Sequence, residues 1–155
     1  AIALAPETIY ALSERSPVDV QDLASQAGPA LENGYVRAPV KLTGDPIRFR
    51  RVLDADGHQA QTAGPGIWVV YQVPASVAGP RFVPPTLASG RLVSIDSLGP
   101  RFRGLANALG GGKGWVLLDG EDPASVSWIA GLELLLLGFV AWSTWSIARV
   151  LRRPR

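Results

Sequence analysis

Twenty-one consecutive residues, Trp128 to Ala148, carry a single charge, Glu133. As a helix rising about 1.5 Å per residue they reach roughly 31 Å, which matches a bilayer hydrocarbon core of about 30 Å. Trp128 marks one end of the run, and Trp142 and Trp145 lie toward the other, where aromatic rings favour the two membrane interfaces. Arg149, Arg152, Arg153 and Arg155 follow at once. The spacing predicts one transmembrane helix over 128–148 and a basic tail over 149–155.

Charge then orients the helix. The sequence pI of 9.4 invites a nucleic-acid reading, but the charges are unevenly placed. Residues 1–127 hold 11 Lys/Arg against 12 Asp/Glu, whereas residues 128–155 hold four arginines against Glu133. The basicity is therefore a membrane flank, and no basic face for nucleic acid is expected. The positive-inside rule places the C-terminus in the cytoplasm and the preceding domain in the periplasm, anchored in a bacterial inner membrane. A tail-anchored protein with a cytosolic domain is the competing topology. Export of the domain calls for an upstream signal peptide or membrane helix. Residues 1–15 are read as an N-terminal segment in which Ala1–Leu4 either end such a hydrophobic stretch or fray.

Residues 16–120 are expected to form a β-rich domain, a small antiparallel barrel or sandwich with an OB-like form among the options, joined to the anchor by a linker over 121–127. The 17 glycines and 13 prolines favour turns and short strands. Ser16-Pro17-Val18-Asp19 reads as a helix start leading into a helix of about ten residues that ends at Gly28-Pro29, with Val18, Leu23, Ala24 and Ala27 buried. From Gly34 the pattern alternates: Val36, Ala38, Val40 and Leu42 share one face, and Pro39 points to an edge or bulge. A hairpin is expected around Asp54-Ala55-Asp56-Gly57, a central strand over Ile67–Val73, and further strands over Arg91–Ile95 and Trp115–Leu118. A short helix is expected over Phe102–Leu109. The connection over 74–86 contains Pro80, Arg81, Phe82, Pro84 and Pro85; stiffened by proline, it loses little entropy on docking and is read as a docking loop.

Tests for chemistry return little. With no cysteine, thiolate metal sites, disulfides and Cys nucleophiles are excluded. Gly110–Gly114 (GGGKG) lacks the first glycine and the final Ser/Thr of a phosphate loop. Asp54, Asp56 and His58 lack the further ligands of a calcium loop and read as a solvated hairpin. His58 is the lone histidine and no nucleophile elbow accompanies it. Arg48, Arg50 and Arg51 would form an anion site only with Arg101 and Arg103 beside them. No catalytic residue, metal or cofactor is expected, and the anchor carries no histidine that would ligate haem or a pigment.

Two intramembrane features remain. Glu133 lies about 7.5 Å below Trp128, where a carboxylate is costly unless it is paired or reaches the headgroups. Snorkelling, a polar contact with a neighbouring subunit, and proton relay are its three readings. Gly131, Gly138, Ala141 and Ala148 would let another helix approach. Together these favour a non-catalytic accessory subunit of a larger membrane complex, photosynthetic or respiratory in setting, with other membrane subunits and the bilayer as partners. The alternatives are a membrane-anchored assembly factor for a cofactor-containing complex, and a periplasmic ligand-binding domain with a pocket lined by Trp68, Tyr71 and Trp115.

Overall fold

A computed structural model of the chain describes residues 5–50, 56–74 and 82–151. Residues 14–122 form one compact unit, and residues 1–13 with 123–155 form a second.

The first unit is built on a seven-stranded mixed sheet. In chain order its strands are β1 (Val18–Asp19), β2 (Tyr35–Pro39), β3 (Thr43–Phe49), β4 (Gly57–Gly64), β5 (Ile67–Val73), β6 (Leu87–Ser94) and β7 (Trp115–Asp119). Their spatial order is β1-β2-β6-β7-β5-β4-β3. The antiparallel expectation needs correction at two places, because β1 pairs with β2 in parallel and β5 with β7 in parallel. The last strand threads between β5 and β6, and so must run along one and against the other. β5 is an interior strand as expected, with β7 at the midpoint. The two end strands, β1 and β3, share no pairing among the described residues.

In the interior strands β5, β6 and β7, side-chain alternation sends residues to two covered faces. On one, Val36, Ala38, Val69, Leu92 and Leu117 pack with Val20 and Leu23, joined by Ala27 and Leu31. On the other, Ala60, Val70, Val116 and Leu118 pack beneath Phe102 and Leu105. Those last two come from a 3₁₀ turn, Pro100–Phe102, and from helix α3, Arg103–Ala108, close to the expected helix. Full burial of a side chain such as Leu92 or Leu117 contributes about 1.5–3 kcal/mol, so the sheet core dominates the stability of this unit.

The expected ten-residue helix after Ser16 is not formed. Val18 and Asp19 are a strand, Val18 is exposed, and helix α2 is a single turn, Leu23–Gln26. Its cap is Asp22, whose side chain accepts from the Ala24 amide at 3.1 Å. Of the four residues expected to be buried, only Leu23 is; Ala24 is exposed and Ala27 half-buried. Pro39 fits for a local reason: Val40 donates to Thr86 beside β6, while Arg37 accepts from Val20 beside β1. By alternation Pro39 faces the β1 side, beyond the last β1 pair, where no amide donor is needed.

Antiparallel pairing of β3 with β4 agrees with the expected hairpin, whose Asp54 and Ala55 lie outside the described residues. Pro65-Gly66 closes the β4–β5 hairpin, with Gly66 at φ 68° supplying the positive φ that the second turn position requires. Gly90 is demanded by proximity: a Cβ there would stand 1.8 Å from the Leu118 carbonyl oxygen on β7.

In the second unit, helix α1 (Ala5–Ala11) and helix α4 (Ser127–Leu151) pack together. The expected membrane segment over 128–148 lies entirely within α4, whose 25 residues make it long and apolar enough to cross a bilayer. Helix α1 was not expected, although Pro6 and Glu7 in its first turn are helix-start signals.

Candidate functional site: an apolar helix with one carboxylate

Helix α4 presents a long apolar surface that the described residues leave uncovered. Beyond Ala130 none of its described side chains is buried. Leu134, Leu135 and Phe139 are about two-thirds exposed, at 70%, 67% and 66%. Along its middle the Thr144 hydroxyl donates to the Val140 carbonyl at 2.8 Å and is satisfied within the helix. In water this surface would be a large aggregation liability.

The ends differ in chemistry. Trp128, 63% exposed, stands at the start. At the far end Trp142 and Trp145 lie with ring centroids 5.6 Å apart, and the Arg149 guanidinium sits 5.5 Å from the Trp145 ring centroid. That distance suits a cation–π contact, and a cation in the last turn also complements the helix dipole. Arg152 and Arg153 lie outside the described residues.

Glu133 is half-buried, and its Oε2 accepts a hydrogen bond from the Thr8 hydroxyl of α1. This polar contact lies within the chain, across 125 residues of sequence. Sequence spacing held no trace of Thr8; the Pro6-Glu7 helix start was the only available signal. The small residues stay open. A Cβ on Gly131 or Gly138 would meet nothing within 4 Å, and Ala141 is exposed.

The proposed docking loop is placed in part. Pro80 and Arg81 lie outside the described residues, Pro84 and Pro85 are half-buried, and Val83 is 80% exposed. Phe82 stacks on Tyr71, centroids 5.6 Å apart and planes 11° from parallel. Tyr71 in turn lies within 3.0 Å of the Gln59 and 2.9 Å of the Gln61 side-chain oxygens, and burial pushes its phenol above the ordinary range. The loop therefore uses its aromatic ring on its own sheet.

The ligand-pocket residues are not brought together. Tyr71 and Trp68 are three apart on β5 and project to opposite faces; Trp115 packs with the first core cluster and Trp68 with the second. Of the arginine cluster, Arg51 lies outside the described residues and Arg101 pairs with Glu121 at 2.6 Å. His58 is buried with its ring 5.8 Å from Phe49, and no group of three or more acidic or histidine side chains is placed for a metal among the described residues. A cleft of ≈ 420 Å³ beside α3 is lined by Ile95, Asp96, Leu98, Ala106, Asn107, Gly110 and Gly111. Its polar lining is one carboxylate and one amide, without a base beside a nucleophile.

Asp119 closes β7 beside Gly90. Its Oδ1 accepts from the Ser89 amide at 2.9 Å. Desolvation still outweighs the stabilising amides of Ser89 and Gly120, so its carboxyl titrates above the ordinary value.

Comparison with protein-family models, curated proteins and solved structures gives no match for this chain.

Proposed function

We propose that the chain is a single-pass membrane protein in which α4 crosses the bilayer and carries the β domain at the membrane surface, as a non-catalytic accessory subunit of a larger membrane assembly. The observation that carries this reading is α4 itself: a helix of bilayer length whose apolar side chains find no cover within the chain. Hydrocarbon solves the problem that water poses, and the Trp128 and Trp142–Trp145–Arg149 ends suit the two interfaces. The four C-terminal arginines support an orientation with that end in the cytoplasm and the domain in the periplasm.

What the domain offers supports a subunit role. Its two sheet faces are covered by its own elements, and its cleft holds no assembled reactive pair. Open positions at Gly131, Gly138 and Ala141 leave room for another helix within the bilayer. No described side chain carries the narrower photosynthetic or respiratory setting. Solubilisation in a mild detergent, native separation and mass spectrometry test the proposal: co-migration in fixed stoichiometry with other membrane proteins is expected. Migration solely as an isolated monomer would overturn it, and substoichiometric, transient association would favour an assembly factor.

A further inference from the structure

We infer that the N-terminal helix α1 is itself a membrane element, sunk into the outer part of the same bilayer as α4 and in contact with acyl chains through Ile9 and Leu12; this rests on the reading that α4 spans.

Three observations converge. The first is depth. Glu133 lies five residues beyond Trp128, about 7.5 Å along a helix, so if Trp128 marks the interface its carboxylate is already inside the hydrocarbon edge. Thr8 reaches that carboxylate directly, and α1 must therefore occupy the same depth. The second is exposure. Ile9 is 64% and Leu12 76% exposed, an arrangement that costs free energy in water and none in lipid. The third is coherence: residues 1–13 group with residues 123–155 as one compact unit, separate from the β domain.

The pairing also accounts for an acidic residue in an apolar helix. A carboxylate facing acyl chains would lack any donor, whereas one facing α1 gains the Thr8 hydroxyl. Glu133 thus acts as a clasp that holds α1 against α4. Glu7, half-buried in the first turn of α1, is one residue from Thr8 and within reach of the headgroup layer by extension of its side chain.

The chain has no cysteine, so single-cysteine labels can be placed without background. The full chain is reconstituted in phosphatidylcholine/phosphatidylglycerol vesicles with an environment-sensitive fluorophore on Ile9→Cys, on Leu12→Cys, or on Leu137→Cys in the middle of α4. Quenching is read with acyl-chain spin-labelled lipid and with aqueous iodide. The inference expects lipid quenching at positions 9, 12 and 137, with shallow-label lipids acting best at 9 and 12 and deep-label lipids at 137. Quenching at 137 by lipid, with 9 and 12 quenched by iodide alone, overturns the inference and leaves the anchor standing. Iodide quenching at 137 overturns the anchor itself. In the Glu133→Leu background lipid quenching at position 9 is expected to fall, while Glu133→Gln, which retains an acceptor, restores it. Equal quenching in both backgrounds would refute the clasp.

Discussion

Replacing Gly90 by alanine should break the sheet at its most tightly fitted point. Gly90 lies on β6, opposite Val36 of β2 on one side and Asp119 of β7 on the other. A Cβ there would stand 1.8 Å from the Leu118 carbonyl oxygen, 2.6 Å from its carbon and 3.1 Å from the Asp119 Cα. Carbon–oxygen contacts between strands normally sit at about 3.3 Å or more, so the β7 backbone would have to retreat by roughly 1.5 Å. The obstruction is backbone, which no rotamer change can relieve. Overpacking of this kind costs about 1–3 kcal/mol. The retreat would also stretch the Ser89 amide to Asp119 bond (2.9 Å) and the Gly120 amide to Ser89 carbonyl bond (3.0 Å), each worth about 0.5–1.5 kcal/mol net. A loss of about 4 kcal/mol follows, a large share of the roughly 5–15 kcal/mol that holds a domain folded. With a urea dependence of about 2 kcal/mol per molar, the midpoint should fall by roughly 2 M. Urea unfolding of the full chain in detergent, followed by near-ultraviolet circular dichroism, measures it. Gly104→Ala in α3 is the companion: its Cβ meets nothing within 4 Å, and the gain in helix propensity should raise stability by up to about 1 kcal/mol. A Gly90→Ala protein within about 1 kcal/mol of the parent would mean that β6 and β7 do not meet in this register.

Three further outcomes follow from the domain. Because the folded-state pKa of Asp119 is raised, its ionised form is disfavoured by folding; the parent should gain stability as pH falls through that pKa and level off below the ordinary value of 3.8. Asp119→Asn keeps an oxygen for the Ser89 amide, so it should be more stable than the parent at neutral pH and lose that advantage in acid, as denaturation curves across pH would show. Arg101→Met removes the 2.6 Å bond to Glu121 and should cost about 2 kcal/mol by urea midpoint, in the range for hydrogen bonds to charged groups. Phe82→Ala removes the stack on Tyr71 and should lower stability by about 2 kcal/mol while changing the near-ultraviolet tyrosine signal; an unchanged signal would place Phe82 off the sheet.

Legibility of the fold in the sequence tracked how local each cause is. The membrane-length helix was readable because its evidence, one charge in a long apolar run, is contained in the run itself; its extension from 128–148 to Ser127–Leu151 reflects the absence of a helix breaker before Pro154. Strand β2 was readable because Val36, Ala38 and Val40 alternate with residues that stay exposed or half-buried. The segment after Ser16 misled because Ser16-Pro17 mimics a helix start, while the decisive fact, pairing of Val18 with Val36, joins residues far apart. Mixed strand direction was hidden for the same reason: the apolar runs of β5 and β7 read as buried strands but do not name the neighbours that set their direction. The candidate site divides likewise. Glu133 drew notice from its surroundings in sequence, but Thr8 is 125 residues away and sits on a helix too short to show a hydrophobic period.

The most direct test asks whether α4 crosses the bilayer. Cysteines are placed singly at Lys41, exposed on the β domain, and at Leu151, 80% exposed at the end of α4, and each protein is challenged in intact cells with a membrane-impermeant thiol reagent before and after lysis. A crossing helix in the proposed orientation predicts labelling of position 41 in intact cells and of position 151 only after lysis. Both positions behaving alike would contradict a spanning α4, and the reverse order would invert the orientation.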